Sequence, residues 1–257
     1  MSTAHTAPDP VTFDTRRTCL FLDVDGTLVD FASSPDAVQI DQKLLSVLEA
    51  IHAQLGGALA LISGRSLAQL DRLFAPLVLP AAGIHGFERR GQARVLFRPA
   101  LAAEALDAVR EQLAAYVLPQ PGLLLEDKGA ALALHYREAP EAEDASRTIM
   151  AKAARRLGSC FELLAGEKVF ELRPSAPTKA TAVEAFLKEE PFEGRNPIYI
   201  GDDQTDIEGF GAMRRNCGVD ISVGERVSAR WHLPDPSAVR AWLRRFATQS
   251  SSGRYRE

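Results

Sequence analysis

Two acidic side chains follow an apolar run near the start of the chain, at a spacing that suits phosphate and metal chemistry. The run is Cys19–Leu22, and Asp23 and Asp25 come directly after it. Such a run is typical of a buried strand. Desolvating a carboxylate costs several kcal/mol unless a cation or donors compensate, so we expect both acids at the carboxyl end of the strand, where open α/β sheets bind ligands. Gly26 permits a close backbone approach and Thr27 adds a hydroxyl donor. The stretch predicts a hard cation and a phosphate, with an ordinary turn as the alternative.

A second group of acids repeats this arrangement late in the chain. The apolar run Ile198–Ile200 leads through Gly201 into Asp202, Asp203 and Asp206. Three carboxylates this close repel one another unless a cation lies among them. Because every donor is oxygen, the set favours Mg²⁺ over zinc or copper. A solvated helix N-terminus is the alternative, but two such clusters, each after an apolar strand, favour a shared metal site.

Two further polar residues have positions that suit an anionic site. Lys179 lies at the start of the helix predicted ahead of the second acid cluster, where its ammonium and the helix N-terminus both attract anions. Ser63 ends an apolar strand next to the first one and has a hydroxyl donor. Either residue alone is ordinary, because an isolated lysine is usually solvated and Ser-Gly is common in turns.

Composition and charge exclude several classes of protein. The chain has 257 residues and a formal net charge of -4, so it has no overall basic field for nucleic acid. No apolar run approaches the roughly 18 residues that suggest a membrane span. The widely spaced Cys19, Cys160 and Cys217 indicate reduced thiols, with neither a disulfide framework nor a zinc site. We therefore expect a cytoplasmic protein, and we expect a monomer.

The order of strand and helix patterns divides the chain into two domains. Alternating strands and helices over residues 18–99 and 175–247 predict an α/β core with a parallel sheet. Residues 100–174 have the pattern helix, two strands, helix, two strands, which predicts an inserted α+β domain. Residues 1–17 are polar and lack the apolar core of a signal peptide, so we expect a flexible tail there and a frayed end over 248–257.

Local signals place the individual elements. Asp41, Ser66 and Thr178 are typical helix N-caps. Two longer helices are predicted within the insertion, over Ala100–Val117 and Ala142–Leu157. The predicted strands are Cys19–Leu22, Ala58–Ile62, Leu77–Ala82, Leu123–Glu126, Ala131–Tyr136, Phe161–Leu164, Val169–Leu172, Ile198–Ile200 and the region Cys217–Val223.

Together these motifs resemble the haloacid-dehalogenase superfamily of aspartyl phosphotransferases. That superfamily has Asp-x-Asp-Gly-Thr, a Ser or Thr after a second strand, a Lys, and Gly-Asp-Asp-x-x-Asp, in this order. The matching residues here are Asp23, Asp25, Gly26, Thr27, Ser63, Lys179, Asp202, Asp203 and Asp206. The resemblance implies a Rossmannoid parallel-sheet core with an inserted α+β cap of the type IIB kind. No membrane-spanning run accompanies the motifs, which excludes a transport ATPase of the same superfamily.

A finer resemblance, from Cys19 to Leu243, is to the trehalose-6-phosphate phosphatase family. The stretches that carry it are Ser63-Gly64-Arg65, Gly83-Ile84-His85-Gly86-Phe87-Glu88-Arg89-Arg90, Glu126-Asp127-Lys128-Gly129, His135-Tyr136-Arg137, Glu171-Leu172-Arg173-Pro174 and Thr205-Asp206. One departure occurs after Gly166, where the family more often has lysine at once and this chain has it one place later, at Lys168.

The resemblance implies a role for each core residue. Asp23 is the nucleophile that forms an aspartyl-phosphate, and Asp25 is the general acid and base. Mg²⁺ is bound by Asp23, the backbone carbonyl of Asp25, and Asp202. Asp203 and Asp206 support the metal site and orient Lys179. Thr27, Ser63 and Lys179 stabilise the phosphate oxygens.

The expected substrate is trehalose 6-phosphate. A disaccharide presents many hydroxyl groups, which need acceptors and charged donors more than apolar walls. Taken singly, charged residues of these types are usually solvated. The candidate substrate-binding residues are Gly64, Arg65, His85, Gly86, Glu88, Glu126, Lys128, His135, Arg137 and Glu171.

Other functions remain open on the sequence. The same chemistry serves sucrose 6-phosphate and mannosyl-3-phosphoglycerate, and a phosphomutase would transfer the phosphoryl group to a second sugar position. A non-catalytic sugar-phosphate sensor is an alternative of a different class. The intact acids of both clusters, together with Lys179, argue against the sensor.

Overall fold

The computed structural model of this protein comprises two compact units. One consists of Met1–Phe97 together with Thr178–Glu257, and the other is Arg98–Pro177. The predicted insertion, residues 100–174, falls within the second unit. The residues that the structure describes are 5–31, 37–93, 96–99 and 103–249.

The strands and helices of the described residues follow one another in the order below. The strands are β1 (His5–Thr6), β2 (Thr18–Leu22), β3 (Leu59–Ile62), β4 (Ala81–Gly83), β5 (Glu88–Arg90), β6 (Leu96–Phe97), β7 (Leu124–Asp127), β8 (Leu132–His135), β9 (Phe161–Gly166), β10 (Val169–Pro174), β11 (Asn196–Gly201), β12 (Val219–Val223) and β13 (Trp231–Leu233). The helices are α1 (Gln42–Gln54), α2 (Leu67–Phe74), α3 (Ala103–Val117), α4 (Glu143–Leu157), α5 (Lys179–Phe186), α6 (Asp206–Arg215) and α7 (Pro236–Ala247).

The first unit is built on a sheet whose central strands are parallel. Its order is β1-β13-β12-β11-β2-β3-β4-β5-β6, and neighbouring strands are parallel from β1 to β4 and antiparallel from β4 to β6. β2 lies between β11 and β3, and all five of its residues are buried. A strand buried on both faces reads as a continuous apolar run, which is why the sequence revealed it. The predicted α/β class with a parallel sheet is confirmed.

Helix α5 begins where the sequence predicts. Thr178 is its N-cap and accepts from the backbone N–H of Thr181, so Lys179 is the first helical residue. Asp41 and Ser66 cap α1 and α2 in the same way, which satisfies donors that a helix leaves open at its N-terminus. Of the helices described, none is both long and apolar enough to cross a bilayer.

The N-terminal residues differ from the loose tail that we expected. β1 pairs in parallel with Trp231 and His232 of β13. The Trp242 indole donates to the Pro8 carbonyl at 2.8 Å. Residues 5–17 therefore contact the first unit, and residues 1–4 lie outside the described residues. A two-residue strand paired with a distant one has no periodicity of its own, so the sequence did not indicate it.

Several elements have other bounds than those predicted. The third strand is Ala81–Gly83, shorter than the predicted Leu77–Ala82, and it continues into the antiparallel strands β5 and β6, which we did not predict. Helix α3 begins at Ala103, and residues 100–102 of its predicted span lie outside the described residues. Of the predicted frayed end, only residues 248 and 249 are described.

The second unit is a four-stranded antiparallel sheet packed against two helices. Its strand order is β7-β8-β10-β9, and α3 and α4 cover one face. Leu132 and Leu134 of β8 pair in register with Leu172 and Phe170 of β10, and all four belong to the hydrophobic core of this unit. Residues that alternate with these point to the other face. The predicted α+β arrangement is confirmed.

Candidate active site

The carboxyl ends of three adjacent parallel strands bring together residues that are far apart in the chain. Asp23 follows β2, Ser63 follows β3, and Asp202 follows β11. All three side chains are buried. Because neighbouring parallel strands end at the same edge of the sheet, these residues lie at one site, as the sequence predicts.

Lys179 is the central cation of this site. Its Nζ lies 2.8 Å from Asp23 Oδ1 and 2.6 Å from Asp206 Oδ1, and its side chain is 2% exposed. Burial by itself would lower the pKa of Lys179, but Asp206 and Asp23 outweigh burial and raise that pKa well above its ordinary value. The ammonium is therefore charged, and it fixes the orientation of the Asp23 carboxylate.

Asp206 anchors Lys179 and uses both carboxylate oxygens to do so. Its Oδ1 accepts from Lys179 and, at 2.6 Å, from the hydroxyl of Tyr199. Its Oδ2 accepts from the backbone N–H groups of Asp202 and Asp203, each at 3.0 Å. Four donors thus occupy this buried carboxylate. We conclude that Asp206 positions its neighbours, although one of its oxygens also lies close to those of Asp23 and Asp202.

The acids of the site carry more negative charge than Lys179 balances. Carboxylate oxygens of Asp23, Asp202 and Asp206 lie within 4.8 Å of one another. Burial, then repulsion from Asp206, raises the pKa of Asp23 well above its usual value in spite of Lys179. The same two causes raise the pKa of Asp202 to about 7. A cation among these oxygens would remove the repulsion.

The backbone at Gly26 leaves room for the second ligand of such a cation. Gly26 has a φ of +83°, which favours glycine, and a Cβ at this position would overlap Oδ2 of Asp202. The other oxygen of Asp202 accepts from the Thr27 hydroxyl at 3.1 Å. Asp202 is therefore held in place by one oxygen while the other faces the backbone of Gly26. Oxygen donors of this kind fit a hard divalent cation.

Asp203 has a different environment from its neighbour Asp202. Its Oδ1 accepts from the backbone N–H and the hydroxyl of Thr205, at 2.9 and 2.6 Å. Burial raises the pKa of Asp203, but Lys179, at 3.9 Å, and the Thr205 hydroxyl outweigh burial and lower that pKa to about 2. Asp203 thus stays ionised beside the ligands and supports the charge of Lys179.

Asp25 is more open to solvent than Asp23 and has a different partner. Arg65 Nε and one of its terminal nitrogens each donate to a separate oxygen of Asp25 at 2.7 Å. The Arg65 backbone N–H donates to Ser63 Oγ at 3.1 Å. The side chain of Asp25 is 31% exposed, whereas that of Asp23 is 6% exposed. Arg65, which we predicted as a substrate-binding residue, is placed by the structure on Asp25.

The loop after β4 lies against the Ser63-Gly64-Arg65 turn. His85 is buried with a φ of 55°, and a Cβ on Gly64 would lie 2.7 Å from His85 Nε2. Gly86 has a φ of +108°, and a Cβ there would overlap the carbonyl of the residue before α5. Glu88 is buried and accepts from the Leu67 backbone N–H, at the start of α2, at 2.5 Å. Contacts of His85 and Glu88 with a sugar remain predictions.

In the second unit, four predicted substrate-binding residues form two pairs. His135 Nε2 lies 2.9 Å from Glu126 Oε2, and Lys128 Nζ lies 2.9 Å from Glu171 Oε1. In the sheet register, Glu126 and Glu171 both lie opposite Ala133, one on each side of it. Residues opposite one another share a face, so both glutamates point away from the face that α3 and α4 cover.

Arg137 completes the predicted set of the second unit. Its guanidinium donates to the backbone carbonyl of Glu167 at 3.1 Å. It therefore lies beside the turn in which this chain departs from the family's usual Gly-Lys order. The structure thus groups the predicted residues of each unit by themselves.

Sequence reasoning missed three side chains around the carboxylates. Tyr199 donates to Asp206, and its signal was a phenol within a strand otherwise free of polar side chains, since a buried Tyr hydroxyl needs a partner. Arg226 lies 3.6 Å from Asp202 Oδ2 and stacks on Phe31. Its signal was a basic residue just after the carboxyl end of β12, at the ligand-binding edge of the sheet.

A parallel-sheet core with an inserted α+β unit is the fold of the phosphatases of the haloacid-dehalogenase superfamily. The buried aspartates and lysine at the sheet edge give the chain the groups that such a phosphatase uses. Within that superfamily, the chain belongs to the trehalose-phosphatase family, whose model matches residues 21–237.

Individual relatives agree with this family. The chain is 41% identical over 231 residues to a probable trehalose-phosphate phosphatase of Sinorhizobium fredii, covering 89% of this chain and 87% of that one. It is 38% identical over 232 residues to the trehalose-6-phosphate phosphatase of Escherichia coli, covering 89% and 86%. A crystal structure of a trehalose-6-phosphate phosphatase related protein superimposes with a TM-score of 0.77 at 26% identity, covering 89% of this chain and 96% of that one. The family resemblance found in the sequence is confirmed.

Proposed function

We propose that this enzyme hydrolyses trehalose 6-phosphate to trehalose and phosphate, with Mg²⁺ as its cofactor and an aspartyl-phosphate as its intermediate. The observation that carries the proposal is the buried Lys179, which holds Asp23 by one oxygen and leaves the other carboxylate oxygen for attack. The relatives named above support trehalose 6-phosphate as the substrate.

In the first half of the proposed reaction, Asp23 displaces the sugar from phosphorus. A carboxylate oxygen of Asp23 bonds to phosphorus as the bond from phosphorus to the sugar 6-oxygen breaks. Asp25 gives its proton to the departing oxygen. For this step Asp25 must carry a proton and Arg65 must turn away from it, so substrate binding must break the Arg65–Asp25 pair seen here.

In the second half, water releases the phosphate. Asp25, now a carboxylate, takes a proton from the water that attacks phosphorus, and the bond to Asp23 breaks. The greater exposure of Asp25 fits this exchange of protons, and the burial of Asp23 shields the intermediate from other nucleophiles.

The donor set proposed for Mg²⁺ is Asp23, Asp202 and the backbone carbonyl of Asp25. The ion supplies positive charge that lowers repulsion between the Asp23 carboxylate and the phosphate. A Lys ammonium has three protons, and Lys179 uses two of them on Asp23 and Asp206. The third is available to a phosphate oxygen, and Thr27 and Ser63 are proposed as hydroxyl donors to the same group.

The second unit is proposed to act as a cap that contacts the sugar. Its charged pairs, Glu126 with His135 and Lys128 with Glu171, lie on the sheet face that its helices leave uncovered. Carboxylates accept from sugar hydroxyls and the ammonium donates to them, and Arg137 is proposed as a further donor. Closure of such a cap excludes water from the reacting phosphate.

The direct test is phosphate release from a panel of phosphorylated sugars, with and without Mg²⁺. The panel consists of trehalose 6-phosphate, sucrose 6-phosphate, mannosyl-3-phosphoglycerate and glucose 6-phosphate. We expect kcat/KM for trehalose 6-phosphate to exceed the others at least tenfold and to fall to background with chelator. Equal rates on all four would reject trehalose 6-phosphate as the specific substrate. Transfer without free phosphate would indicate a mutase, and binding without turnover would indicate a sensor.

The nucleophile is tested by Asp23→Asn. The amide keeps the size of the side chain but removes the nucleophilic oxygen, so we expect phosphate release to fall by roughly three orders of magnitude or more, within the range that covalent catalysis supplies. Asp14→Asn, at an exposed acid outside the site, is the matched control and should retain full activity. Near wild-type turnover in Asp23→Asn would refute the assignment.

A further inference from the structure

The inference concerns Arg226, which the mechanism above does not use. Arg226 follows β12, and one of its terminal nitrogens lies 3.6 Å from Asp202 Oδ2. Its guanidinium lies 4.3 Å from the centroid of the Phe31 ring. The side chain of Arg226 is 42% exposed and Phe31 is 43% exposed. A half-exposed arginine thus has a fixed position at the rim of a site of buried acids.

The two oxygens of Asp202 have different neighbours. Oδ1 accepts from the Thr27 hydroxyl, while Oδ2 faces Arg226. Lys179 directs its ammonium to Asp23 and Asp206. Among the described residues, Arg226 is the basic side chain within ion-pair distance of Asp202. The oxygen of Asp202 that is free of hydrogen-bonded neighbours is therefore the one next to a second positive charge.

Phe31 holds the guanidinium in this position. Stacking on an aromatic ring fixes the plane of an arginine and is favourable by itself. The Phe31 ring also borders Gly26, since a Cβ on that glycine would contact the ring as well as Asp202. Phe31, Gly26 and Asp202 are thus in contact, and Arg226 lies over them.

We propose that Arg226, held by Phe31, is a built-in counter-cation that competes with the divalent metal ion for Asp202 and so sets the affinity of the enzyme for that ion. The proposal rests on the proposed function, because it takes Asp202 as a metal ligand. A guanidinium and a divalent cation beside one carboxylate oxygen repel each other. Binding of the ion must therefore push Arg226 away from Asp202 or be weakened by it.

The test is a titration of the full chain with Mn²⁺, a hard cation that accepts the same oxygen ligands as Mg²⁺. The electron paramagnetic resonance signal of free Mn²⁺ reports binding without any need for turnover. We expect Arg226→Gln to bind Mn²⁺ roughly three- to tenfold more tightly than the wild type, as removal of a half-exposed like charge should give. The gain should shrink as ionic strength rises, because the guanidinium is in contact with solvent.

Two further variants separate charge from position. Arg215→Gln removes the same charge from an exposed pair with Glu184 and should leave Mn²⁺ affinity unchanged. Phe31→Leu keeps the arginine but removes the ring, so we expect an affinity between that of the wild type and that of Arg226→Gln. Wild-type or weaker Mn²⁺ binding by Arg226→Gln would overturn the proposal.

Asp202→Asn distinguishes this inference from the proposed function. Loss of Mn²⁺ binding in Asp202→Asn, together with tighter binding in Arg226→Gln, would support both. Loss in Asp202→Asn with no change in Arg226→Gln would overturn only the role of Arg226. Wild-type binding by Asp202→Asn would show that the metal site itself is misplaced.

Discussion

The ammonium of Lys179 lies 2.6 Å from Oδ1 of Asp206, and solvent reaches almost nothing of either side chain. Tyr199 and two backbone N–H groups occupy the rest of the Asp206 carboxylate. Lys179 is therefore fixed from behind by Asp206 while it holds Asp23 in front. The position of the proposed nucleophile thus depends on a carboxylate that need not touch the substrate.

Lys179→Met should strongly destabilise the first unit. The change leaves the buried Asp23 and Asp206 without their shared cation, and breaking a buried ion pair costs about 3–5 kcal/mol. We expect a lower unfolding midpoint in denaturant, measured by circular dichroism, and loss of phosphate release. Lys43→Met, on an exposed position of α1, is the control. A Lys179→Met protein as stable as the wild type would contradict this account of the pair.

Stabilisation by Mg²⁺ should depend on pH through Asp202. The fold raises the pKa of Asp202 from 3.8 to about 7. This group therefore stabilises the metal-free protein below pH 3.8, and that contribution is lost as pH rises through about 7. A metal ligand must be deprotonated, so the increase in Tm caused by Mg²⁺ should be small at pH 6 and reach its full size above about pH 7.5.

Differential scanning fluorimetry with and without Mg²⁺ measures this dependence. Asp202→Asn supplies the control, because the amide does not titrate and should remove both the Mg²⁺ effect and its change with pH. An increase in Tm that is the same at pH 6 and pH 8 would contradict the role of Asp202.

Gly26→Ala should impair metal binding in particular. The new methyl group would overlap Asp202 Oδ2, and the φ of +83° disfavours any residue with a Cβ. We expect Mn²⁺ affinity to fall at least tenfold. Gly129→Ala is a matched control, since Gly129 has a φ of +81° but no atom within 4 Å of a Cβ. It adds the backbone strain, on the order of 1 kcal/mol, without the clash. Equal Mn²⁺ binding by the two variants would show that the clash is unimportant.

Glu171→Gln should affect the sugar substrate and spare a small one. If Glu171 accepts from a sugar hydroxyl, loss of its charge should raise KM for trehalose 6-phosphate roughly ten- to hundredfold, the size of a hydrogen bond to a charged group. Hydrolysis of p-nitrophenyl phosphate, which has no sugar, should change little. Glu143→Gln, in an exposed pair on α4, should change neither. An equal loss on both substrates would point to a structural role for Glu171.

The sequence predicted the catalytic core because each of its acids follows a strand whose apolar run is unmistakable. Burial of β2 and β11 on both faces gives those runs, and an acid directly after one is easily recognised. Lys179 was found through its helix cap, since Thr178 is a typical N-cap. These signals are local in the chain, and the residues that carry them form the site.

The rest of the site depends on contacts that local patterns do not encode. Arg65 was predicted as a substrate ligand, whereas its guanidinium lies on Asp25, and only the packing of neighbouring strand ends determines which acid it meets. Arg226 was missed because its significance lies in a contact with Asp202, which comes from another strand. In the second unit, the pairing of Lys128 with Glu171 follows from sheet register, which composition alone does not give.

The position of β2 between β11 and β3 has a consequence for synthesis of the protein. β3 is made soon after β2, but β11 and helix α5 come only after the whole second unit has been translated. Until residue 206 has left the ribosome, Asp23 lacks both its lysine and its partner aspartate. The growing chain therefore exposes one side of its most apolar strand for most of its translation, and it gains phosphatase chemistry only when the last third of the chain arrives.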